Sequence, residues 1–348
     1  MVFVLGLAVA LWAIGLLLGY SQSKRLLAIA GLLIVVIVLN LLLPFEHPLR
    51  VATGQSPKGW SIVLALGILI WLYATGVRRL KKSAQTEQPS DTPPPLFTET
   101  ELERYARHIM LREIGGPGQK ALKEAKVLVI GAGGLGAPAL SYLGAMGVGT
   151  IGVIDDDKVE NSNLQRQVIH TDDRIGMDKV QSAKLAVEAQ NPYVTVRPYA
   201  RRLTEEIAAE LFADYDIILD GTDNFDTRYL SNKAAAEAGK PLVSGALAQW
   251  EGQISVFDPA NGSPCYKCVF PDPPAPGLVP SCAEAGVSAA LPGVIGAMMA
   301  QEAMKLIIKE GQPLRGEMVL YDALYGDFRK IKLHRNPDCP VCQGADKA

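Results

Sequence analysis

Charged residues are scarce at the N-terminal end of this 348-residue chain. The first 77 residues contain only five of its 70 charged side chains. The other 271 residues contain the rest, at a density that is ordinary for a soluble protein. Basic residues are not in excess, since the formal net charge is −2, so charge gives no support to nucleic-acid binding. This distribution disfavours both a wholly soluble protein and a transporter that uses the full length.

Three apolar stretches without charge lie in the N-terminal part, at residues 2–20, 26–43 and 60–77. Each has about 18–19 residues, and a helix of that length rises about 27–29 Å, enough to cross a bilayer. A cleaved signal peptide is the alternative for the first stretch, but no positive segment precedes it and another apolar stretch follows. Because a transport path normally needs buried polar groups, we predict a membrane anchor of three transmembrane helices.

The basic residues that flank these stretches predict their orientation. Lys24 and Arg25 lie in the first loop, and four more follow the third stretch, namely Arg78, Arg79, Lys81 and Lys82. The positive-inside rule places both groups in the cytoplasm. We therefore predict a multi-pass protein of the inner (cytoplasmic) membrane, with loop 45–59 outside and the remainder of the chain in the cytoplasm.

Residues 83–97 read SAQTEQPSDTPPPLF, a polar and proline-rich composition that is typical of an extended tether. The predicted organisation is thus a membrane region (1–82), a linker (83–97) and a soluble domain (98–348). Strand and helix patterns alternate through the last of these. The predicted strands are 126–130, 150–155, 194–200, 216–220, 241–248, 253–258, 318–325 and 327–333; the predicted helices are 98–114, 135–147, 179–190 and 287–309. This alternation predicts an α/β fold with a Rossmann-like doubly wound sheet, parallel at first and mixed at its end.

The first predicted strand of the soluble domain runs into a glycine-rich turn and then a helix. The turn contains Gly131, Gly133, Gly134 and Gly136 in the pattern G-x-G-x-x-G. Glycines allow the backbone to approach phosphate closely, and the helix N-terminus favours negative charge. Asp155 ends the next strand, where a carboxylate can accept hydrogen bonds from ribose hydroxyls. On these features alone, binding of NAD is an equally good interpretation.

Long polar side chains after the second strand favour a nucleoside triphosphate instead. Ser162, Asn163 and Arg166 lie in the segment SNLQRQ, and Lys179 lies at a helix start. Triphosphates need such cations and donors to stabilise their charge, whereas a dinucleotide site does not require them. Each residue taken alone could equally be a solvated surface residue.

Two more polar residues, Asp223 and Asn224, directly follow the strand 216–220. Carboxylates at the carboxyl ends of such strands face the ligand crevice. We predict that Asp223 holds Mg²⁺ through oxygen ligation. A helix cap is the alternative for either residue, and Asp220 or Asp226 could take the place of Asp223.

Four of the five cysteines form two C-x-x-C pairs, Cys265 with Cys268 and Cys339 with Cys342. Four thiolates suit a closed tetrahedral Zn²⁺ site, whereas a reducing cytoplasm disfavours two structural disulfides. A thioredoxin-like redox pair would leave the second pair unexplained, so we predict a structural zinc knuckle. The fifth, Cys282, is either a reactive nucleophile with a lowered pKa or a buried inert thiol.

Together these segments resemble the MoeB/ThiF-type adenylyltransferases, relatives of the ubiquitin-activating enzymes. The resemblance runs from about residue 102 to residue 343 and is closest to molybdopterin-synthase adenylyltransferases. It rests on the segments RYAR, GAGGLGAP, YLGAMGVG, DDDKV, SNLQRQ, DGTDNFDTR, EGQISVF, CYKC, SCAEAGV and NPDCPVC. As a set, these segments are far more specific than the glycine-rich turn.

The resemblance implies that ATP activates the C-terminal Gly-Gly carboxylate of a small ubiquitin-like sulfur-carrier protein. The products are an acyl-adenylate and pyrophosphate, for later sulfur transfer of the molybdopterin or thiamine type. It also implies a nucleotide site lined by Gly134, Asp155, Ser162, Asn163, Arg166, Lys179, Asp223 and Asn224. Arg166 and Lys179 would neutralise phosphate, and Asp223 would place Mg²⁺. Arg107 matches an arginine that reaches the ATP of the neighbouring subunit, which implies a homodimer.

Cys282 matches a cysteine that takes the activated carrier covalently in some relatives and is dispensable in others. The chain departs from the family pattern through its membrane stretches and because no rhodanese-like domain follows Cys342, so we expect a separate sulfur-donor protein. Two further readings are a dehydratase-type relative that activates a tRNA-linked carboxylate and a non-catalytic membrane scaffold. The cysteine motifs favour the carrier-protein branch, while Arg107, Arg166 and Lys179 argue against a scaffold.

Overall fold

The computed structural model describes residues 2–86, 95–275 and 285–343. The chain divides into two compact units, Met1–Pro94 and Pro95–Ala348. The division falls within the predicted linker 83–97, while the limits 1–82, 83–97 and 98–348 stay a prediction.

The first unit is helical. Its helices are α1 (Val2–Leu17), α2 (Gln22–Leu42), α3 (Pro48–Ala52) and α4 (Pro57–Thr86). Helix α2 packs against both α1 and α4, and Val4, Val36 and Trp60 are buried where the helices meet. The Trp60 indole N–H donates to the carbonyl of Thr53 at 2.8 Å, so a hydrogen bond also fixes the Trp60 side chain.

Two boundaries of this unit differ from the predicted ones. Helix α1 ends at Leu17 instead of residue 20, and Gly19 follows it with a left-handed φ of 70°. Helix α4 continues through residues 83–86, which were predicted as tether, because Ser-Ala-Gln-Thr contains no glycine or proline to end it. The rest of the predicted tether up to residue 94 lies outside the described residues.

Within the described residues, three helical stretches are long and apolar enough to cross a membrane, namely Gln22–Leu42, Pro57–Val77 and Leu291–Ile308. Only 11% and 6% of the first two are buried, whereas half of the third is buried. The third is therefore a core helix of the second unit. Helix α1 is apolar but shorter than these, so the N-terminal unit has three apolar helices, of which two have full spanning length.

The second unit is built on one eight-stranded sheet with the order β3-β2-β1-β4-β5-β6-β7-β8. The first five strands in this order pair parallel with one another, and the pairs β5–β6, β6–β7 and β7–β8 are antiparallel. The strands are β1 (Lys126–Ile130), β2 (Thr150–Ile154), β3 (Thr195–Tyr199), β4 (Ile217–Asp220), β5 (Leu242–Ala248), β6 (Glu251–Phe257), β7 (Glu317–Asp322) and β8 (Asp327–Lys332). This confirms the predicted doubly wound mixed sheet.

Helices cover both faces of this sheet. They are α5 (Glu99–Ile109), α6 (Gly115–Glu124), α7 (Gly136–Met146), α8 (Lys179–Gln190), α9 (Glu205–Ala213), α10 (Phe225–Glu237), α11 (Tyr266–Val269) and α12 (Leu291–Ile308). One core lies between the sheet and α7, α8 and α12, and the other lies between the sheet and α9 and α10. Strands β1 and β4 are buried on both faces, which explains why their sequences are continuous apolar runs.

Candidate active site

A cleft of about 1140 Å³ opens at the carboxyl ends of β1 and β4. These two strands are neighbours, and the chain winds outward from them in opposite directions, which makes this edge the topological switch point of the sheet. Eight residues predicted for the site line the cleft: Gly131, Gly133, Gly134, Asp155, Arg166, Lys179, Asp223 and Asn224. The sheet topology thus brings together side chains that are up to 93 residues apart in sequence.

The glycine-rich turn joins β1 to α7 at the floor of this cleft. Gly131 has a φ of 90°, a conformation that side chains other than glycine rarely adopt. At Gly136 a Cβ atom would lie 1.9 Å from the carbonyl oxygen of Gly131, so only glycine fits there. These two positions hold the turn tight against the N-terminus of α7, where free backbone N–H groups favour a phosphate.

Asp155 connects the end of β2 to the glycine-rich turn. Its Oδ2 accepts a hydrogen bond from the N–H of Ala132 at 2.7 Å, and its Oδ1 accepts one from the N–H of Asp157 at 2.8 Å. Burial raises the pKa of Asp155, although these two hydrogen bonds and the nearby charge of Lys179 act in the opposite direction.

Lys179 is the first residue of α8, and only 5% of its surface is exposed. Its Nζ lies 2.7 Å from Oδ2 of Asp157, a side chain that is itself 66% exposed. A buried cation held by an exposed carboxylate can exchange that partner for a phosphate, because the carboxylate is readily hydrated once it is released.

Arg166 reaches the cleft from the turn that follows Asn161–Asn163, a short 3₁₀ helix. Its guanidinium donates to the carbonyl of Ser162 and to Oδ1 of Asn163, both at 3.3 Å. Ser162 is exposed, Asn163 is half-buried, and neither is among the residues that line the cleft. Both therefore support Arg166 in this structure.

Asp223 and Asn224 lie between β4 and α10, and both are exposed at the cleft. The Asn224 side chain accepts a hydrogen bond from the N–H of Thr227 at 2.9 Å and so caps α10. Among the described residues, Asp155, Asp156 and Asp157 place carboxylate oxygens within 4.8 Å of one another, while Asp223 belongs to no such group. A single carboxylate still fits Mg²⁺, which takes most of its other ligands from phosphates and water.

The structure also reveals a buried ion pair at the cleft that our sequence analysis missed. Arg228 is 5% exposed and lies 3.7 Å from Oδ2 of Asp220. It donates to the carbonyls of Thr222 and Gly245, and thereby fixes the segment between β4 and α10. Arg228 is the last residue of the motif DGTDNFDTR, but the sequence of this motif does not show whether its arginine is buried or exposed.

The four cysteines of the two C-x-x-C pairs meet in one buried cluster. The Sγ atoms of Cys265 and Cys268 are 3.8 Å apart, those of Cys265 and Cys339 3.6 Å, and those of Cys268 and Cys342 3.4 Å. A regular ZnS₄ tetrahedron with bonds of about 2.3 Å has edges of about 3.8 Å, so these distances fit zinc and are far too long for disulfides. Burial raises the pKa of the Cys265 thiol, and a bound cation would offset that effect.

Two more predicted residues are Arg107 and Cys282. Arg107 is exposed on α5 and does not line the cleft. Cys282 lies outside the described residues.

The switch-point cleft, its glycine-rich turn and the cations Arg166 and Lys179 in its lining place this protein in the class of Rossmann-like nucleotide-binding proteins. Residues 105–341 match the ThiF family, which is more than half of the chain. The chain belongs to the ThiF family, as its sequence motifs predicted.

Similar proteins agree with this family. A sulfur carrier protein adenylyltransferase of Thermus thermophilus is 51% identical over 250 residues, which cover 71% of this chain and 92% of that protein. The SAMP-activating enzyme E1 of Haloferax volcanii is 49% identical over 243 residues, covering 70% and 89%. The crystal structure of Escherichia coli MccB with AMPCPP and MccA superposes with a TM-score of 0.61 at 25% identity, covering 69% and 74%. The chain is thus an ATP-using enzyme of the adenylyltransferase class.

Proposed function

We propose that this protein adenylates the C-terminal Gly-Gly carboxylate of a small ubiquitin-like sulfur-carrier protein. The observation that carries the proposal is the 51% identity over 92% of the Thermus thermophilus sulfur carrier protein adenylyltransferase. The cleft supports it as well, since about 1140 Å³ exceeds the roughly 300–1,000 Å³ of an ordinary small-ligand pocket and leaves room for a peptide tail beside ATP.

In the proposed reaction a carboxylate oxygen of the carrier attacks the α-phosphorus of ATP. The new P–O bond gives the acyl-adenylate, and the bond from the α-phosphorus to the oxygen that bridges to the β-phosphate breaks. That oxygen keeps the electron pair and leaves as part of pyrophosphate. No general base is required, because a C-terminal carboxyl with a pKa of about 3.5 is already ionised at neutral pH.

The residues of the cleft have separate tasks in this proposal. The turn from Gly131 to Gly134 offers backbone N–H groups to the phosphates at the N-terminus of α7. Arg166 and Lys179 offset the charge that builds up on the phosphates as pyrophosphate leaves. Asp155 accepts hydrogen bonds from the ribose hydroxyls. Ser162, Asn163 and Asn224 complete the nucleotide site, the first two through their hydrogen bonds to Arg166.

Two metal ions belong to the proposal. Asp223 would hold Mg²⁺, which supplies positive charge to the phosphates when it is bound. Cys265, Cys268, Cys339 and Cys342 would hold Zn²⁺, whose chemistry here is structural because four protein ligands leave no open position.

Three finer points of the proposal concern partners. Arg107 would act on the ATP of a neighbouring subunit in a homodimer, consistent with its exposed place on α5. Cys282 is a candidate sulfur-transfer thiol. A separate donor protein would supply the sulfur, and the product would enter molybdopterin or thiamine type biosynthesis.

The membrane location is also a proposal, in which the three apolar N-terminal helices anchor the enzyme with its ThiF unit in the cytoplasm. The exposed apolar side chains of α2 and α4 support it, because water would hydrate them unfavourably. Alkaline carbonate should leave the full chain in the membrane pellet. In intact cells, protease should cleave the ThiF unit only after the membrane has been permeabilised. Release of the chain by carbonate would contradict the anchor.

The decisive test is ATP–pyrophosphate exchange with the full chain in detergent micelles. Small proteins that end in Gly-Gly and copurify with it are added one at a time, and radiolabel from pyrophosphate should appear in ATP with the true carrier. The matched control is the same carrier with a C-terminal amide, which has no anionic carboxylate oxygen to attack the phosphorus and should give no exchange. Equal exchange with the amide, or none with any candidate although the protein is folded, would refute the proposal.

A further inference from the structure

His170 is a buried histidine that the proposed reaction does not use. It follows the motif SNLQRQ by three residues, and 5% of its surface is exposed. Its Nε2 lies 2.9 Å from the carbonyl oxygen of Ala132, and its Nδ1 lies 2.9 Å from Oγ of Ser182. Both ring nitrogens are therefore engaged, each with a different element of the cleft.

These two partners belong to the two elements that carry phosphate-binding groups. Ala132 lies in the glycine-rich turn, and its N–H is already held by Asp155. Ser182 lies on α8, three residues and so about one turn after Lys179. The imidazole of His170 thus joins the glycine-rich turn directly to α8, the helix that bears Lys179.

The chemistry of the two partners fixes the tautomer of His170. A backbone carbonyl only accepts hydrogen bonds, so Nε2 must carry the hydrogen that faces Ala132. In the neutral ring Nδ1 then accepts the hydroxyl hydrogen of Ser182. Protonation would add a hydrogen at Nδ1, which would then donate to Oγ of Ser182 while Nε2 still donates to Ala132.

The surroundings of His170 keep it neutral. Burial lowers the pKa of His170, and the positive charges of Lys179 on α8 and of Arg174 act in the same direction, whereas the hydrogen bond to Ala132 raises it. Asp155, on the far side of Ala132, is the acidic group of this network, and burial raises its own pKa.

We propose that His170 is a positioning residue for ATP: its neutral ring locks the glycine-rich turn to α8, so that the turn N–H groups and Lys179 act on the same phosphates. The inference rests on the proposed use of the cleft for ATP. Loss of the bond to Ala132 should weaken ATP binding about tenfold, the usual worth of one buried hydrogen bond.

Two substitutions test the hydrogen bond to Ala132. In His170→Gln the side-chain amide N–H₂ reaches the place of Nε2 and can donate to Ala132. In His170→Asn the shorter side chain reaches Ser182 and not Ala132. ATP affinity is measured by calorimetry on the full chain in detergent micelles, without any carrier, at about pH 7.5, where the imidazole is neutral.

We expect His170→Asn to bind ATP about tenfold more weakly than wild type, and His170→Gln to bind within about twofold. Equal ATP affinities in all three proteins would overturn the inference. If His170→Asn does not fold, His170→Gln still decides, because an affinity about tenfold below wild type despite its donor to Ala132 would overturn the inference. Wild type that binds no ATP would instead overturn the proposed function.

Discussion

Asp155 Oδ2 accepts a hydrogen bond of 2.7 Å from the backbone N–H of Ala132, and this bond ties the end of β2 to the turn after β1. The glycine-rich turn is therefore shaped by protein contacts, independently of ATP. The ionised carboxylate has lost hydration through burial, and its pKa is raised because its hydrogen bonds and Lys179 only partly compensate.

We expect Asp155→Asn to stabilise the nucleotide-free protein at neutral pH and to weaken ATP binding about tenfold. The amide keeps an acceptor for Ala132 and removes a half-buried charge, although it loses the second hydrogen bond, from the N–H of Asp157. It also binds ribose hydroxyls less strongly than a carboxylate does. Thermal melting and calorimetry on the same samples measure the two effects. A variant that is both less stable and equally good at binding ATP would contradict this account of Asp155.

The pH dependence of the stability difference between Asp155→Asn and wild type follows from the raised pKa of Asp155. The folded chain binds the proton of Asp155 more tightly than the unfolded chain does, so its stabilising contribution is lost as pH rises through the folded-state pKa. The gain in melting temperature of Asp155→Asn over wild type should therefore grow between about pH 4 and about pH 7. A gain in melting temperature that shrinks over this range would show that burial is not the largest influence on the pKa of Asp155.

Oδ2 of Asp157 lies 2.7 Å from Nζ of Lys179, and a phosphate that binds Lys179 would have to displace Asp157. We expect Asp157→Asn to bind ATP about two- to fivefold more tightly, because an ion pair with one exposed partner is worth at most about 1 kcal/mol. The matched control is Asp156→Asn, which removes an adjacent exposed charge at the same cleft. Weaker ATP binding in Asp157→Asn than in Asp156→Asn would mean that Asp157 serves the nucleotide directly.

Asp223 and Asp226 are both exposed near the start of α10, but only Asp223 is a lining residue of the cleft. We expect Asp223→Asn to lower ATP–pyrophosphate exchange at least about 100-fold, as removal of a group that organises transition-state charge commonly does. Asp226→Asn should stay within about twofold of wild type. Equal losses in the two variants, or none in Asp223→Asn, would exclude Asp223 as the Mg²⁺ ligand.

The cysteine cluster predicts a loss of metal together with a loss of stability. Cys268→Ser should release zinc and lower the melting temperature by about 10 °C or more, because metal binding and folding are coupled. Cys282→Ser should keep one zinc per chain, as measured by elemental analysis. If both variants retain zinc, the cluster is not its site; if both lose it, Cys282 is a ligand.

Sequence patterns predicted the buried strands well and their ends less well. Strand β1 occupies the predicted residues 126–130, because a parallel strand buried on both faces leaves a plain apolar run. Strand β7 ends at Asp322 instead of residue 325, since Oδ1 of Asp322 accepts from the N–H groups of Leu324 and Tyr325 and closes a turn. Helix α6 was missed because its first residues, Gly-Gly-Pro-Gly, are typical of a turn.

The residues of the candidate site were easier to predict than their contacts. Gly131, Asp155 and Asp223 follow parallel strands, and the carboxyl ends of such strands share one edge. The bonds of Lys179 to Asp157 and of His170 to Ala132 join positions 22 and 38 residues apart, which no local pattern encodes. They depend on how α8 and the turns around it pack against the sheet.

The cysteine cluster also has a consequence for how the enzyme is made. One cysteine pair is translated before β7 and β8, and the other after them. A metal held by all four cysteines could therefore be captured fully only when every strand of the sheet has left the ribosome, long after the N-terminal helices have emerged. Zinc capture would thus mark a completed catalytic unit, and a nascent chain that stalls before Cys339 would present an open thiol pair to the quality-control machinery of the cell.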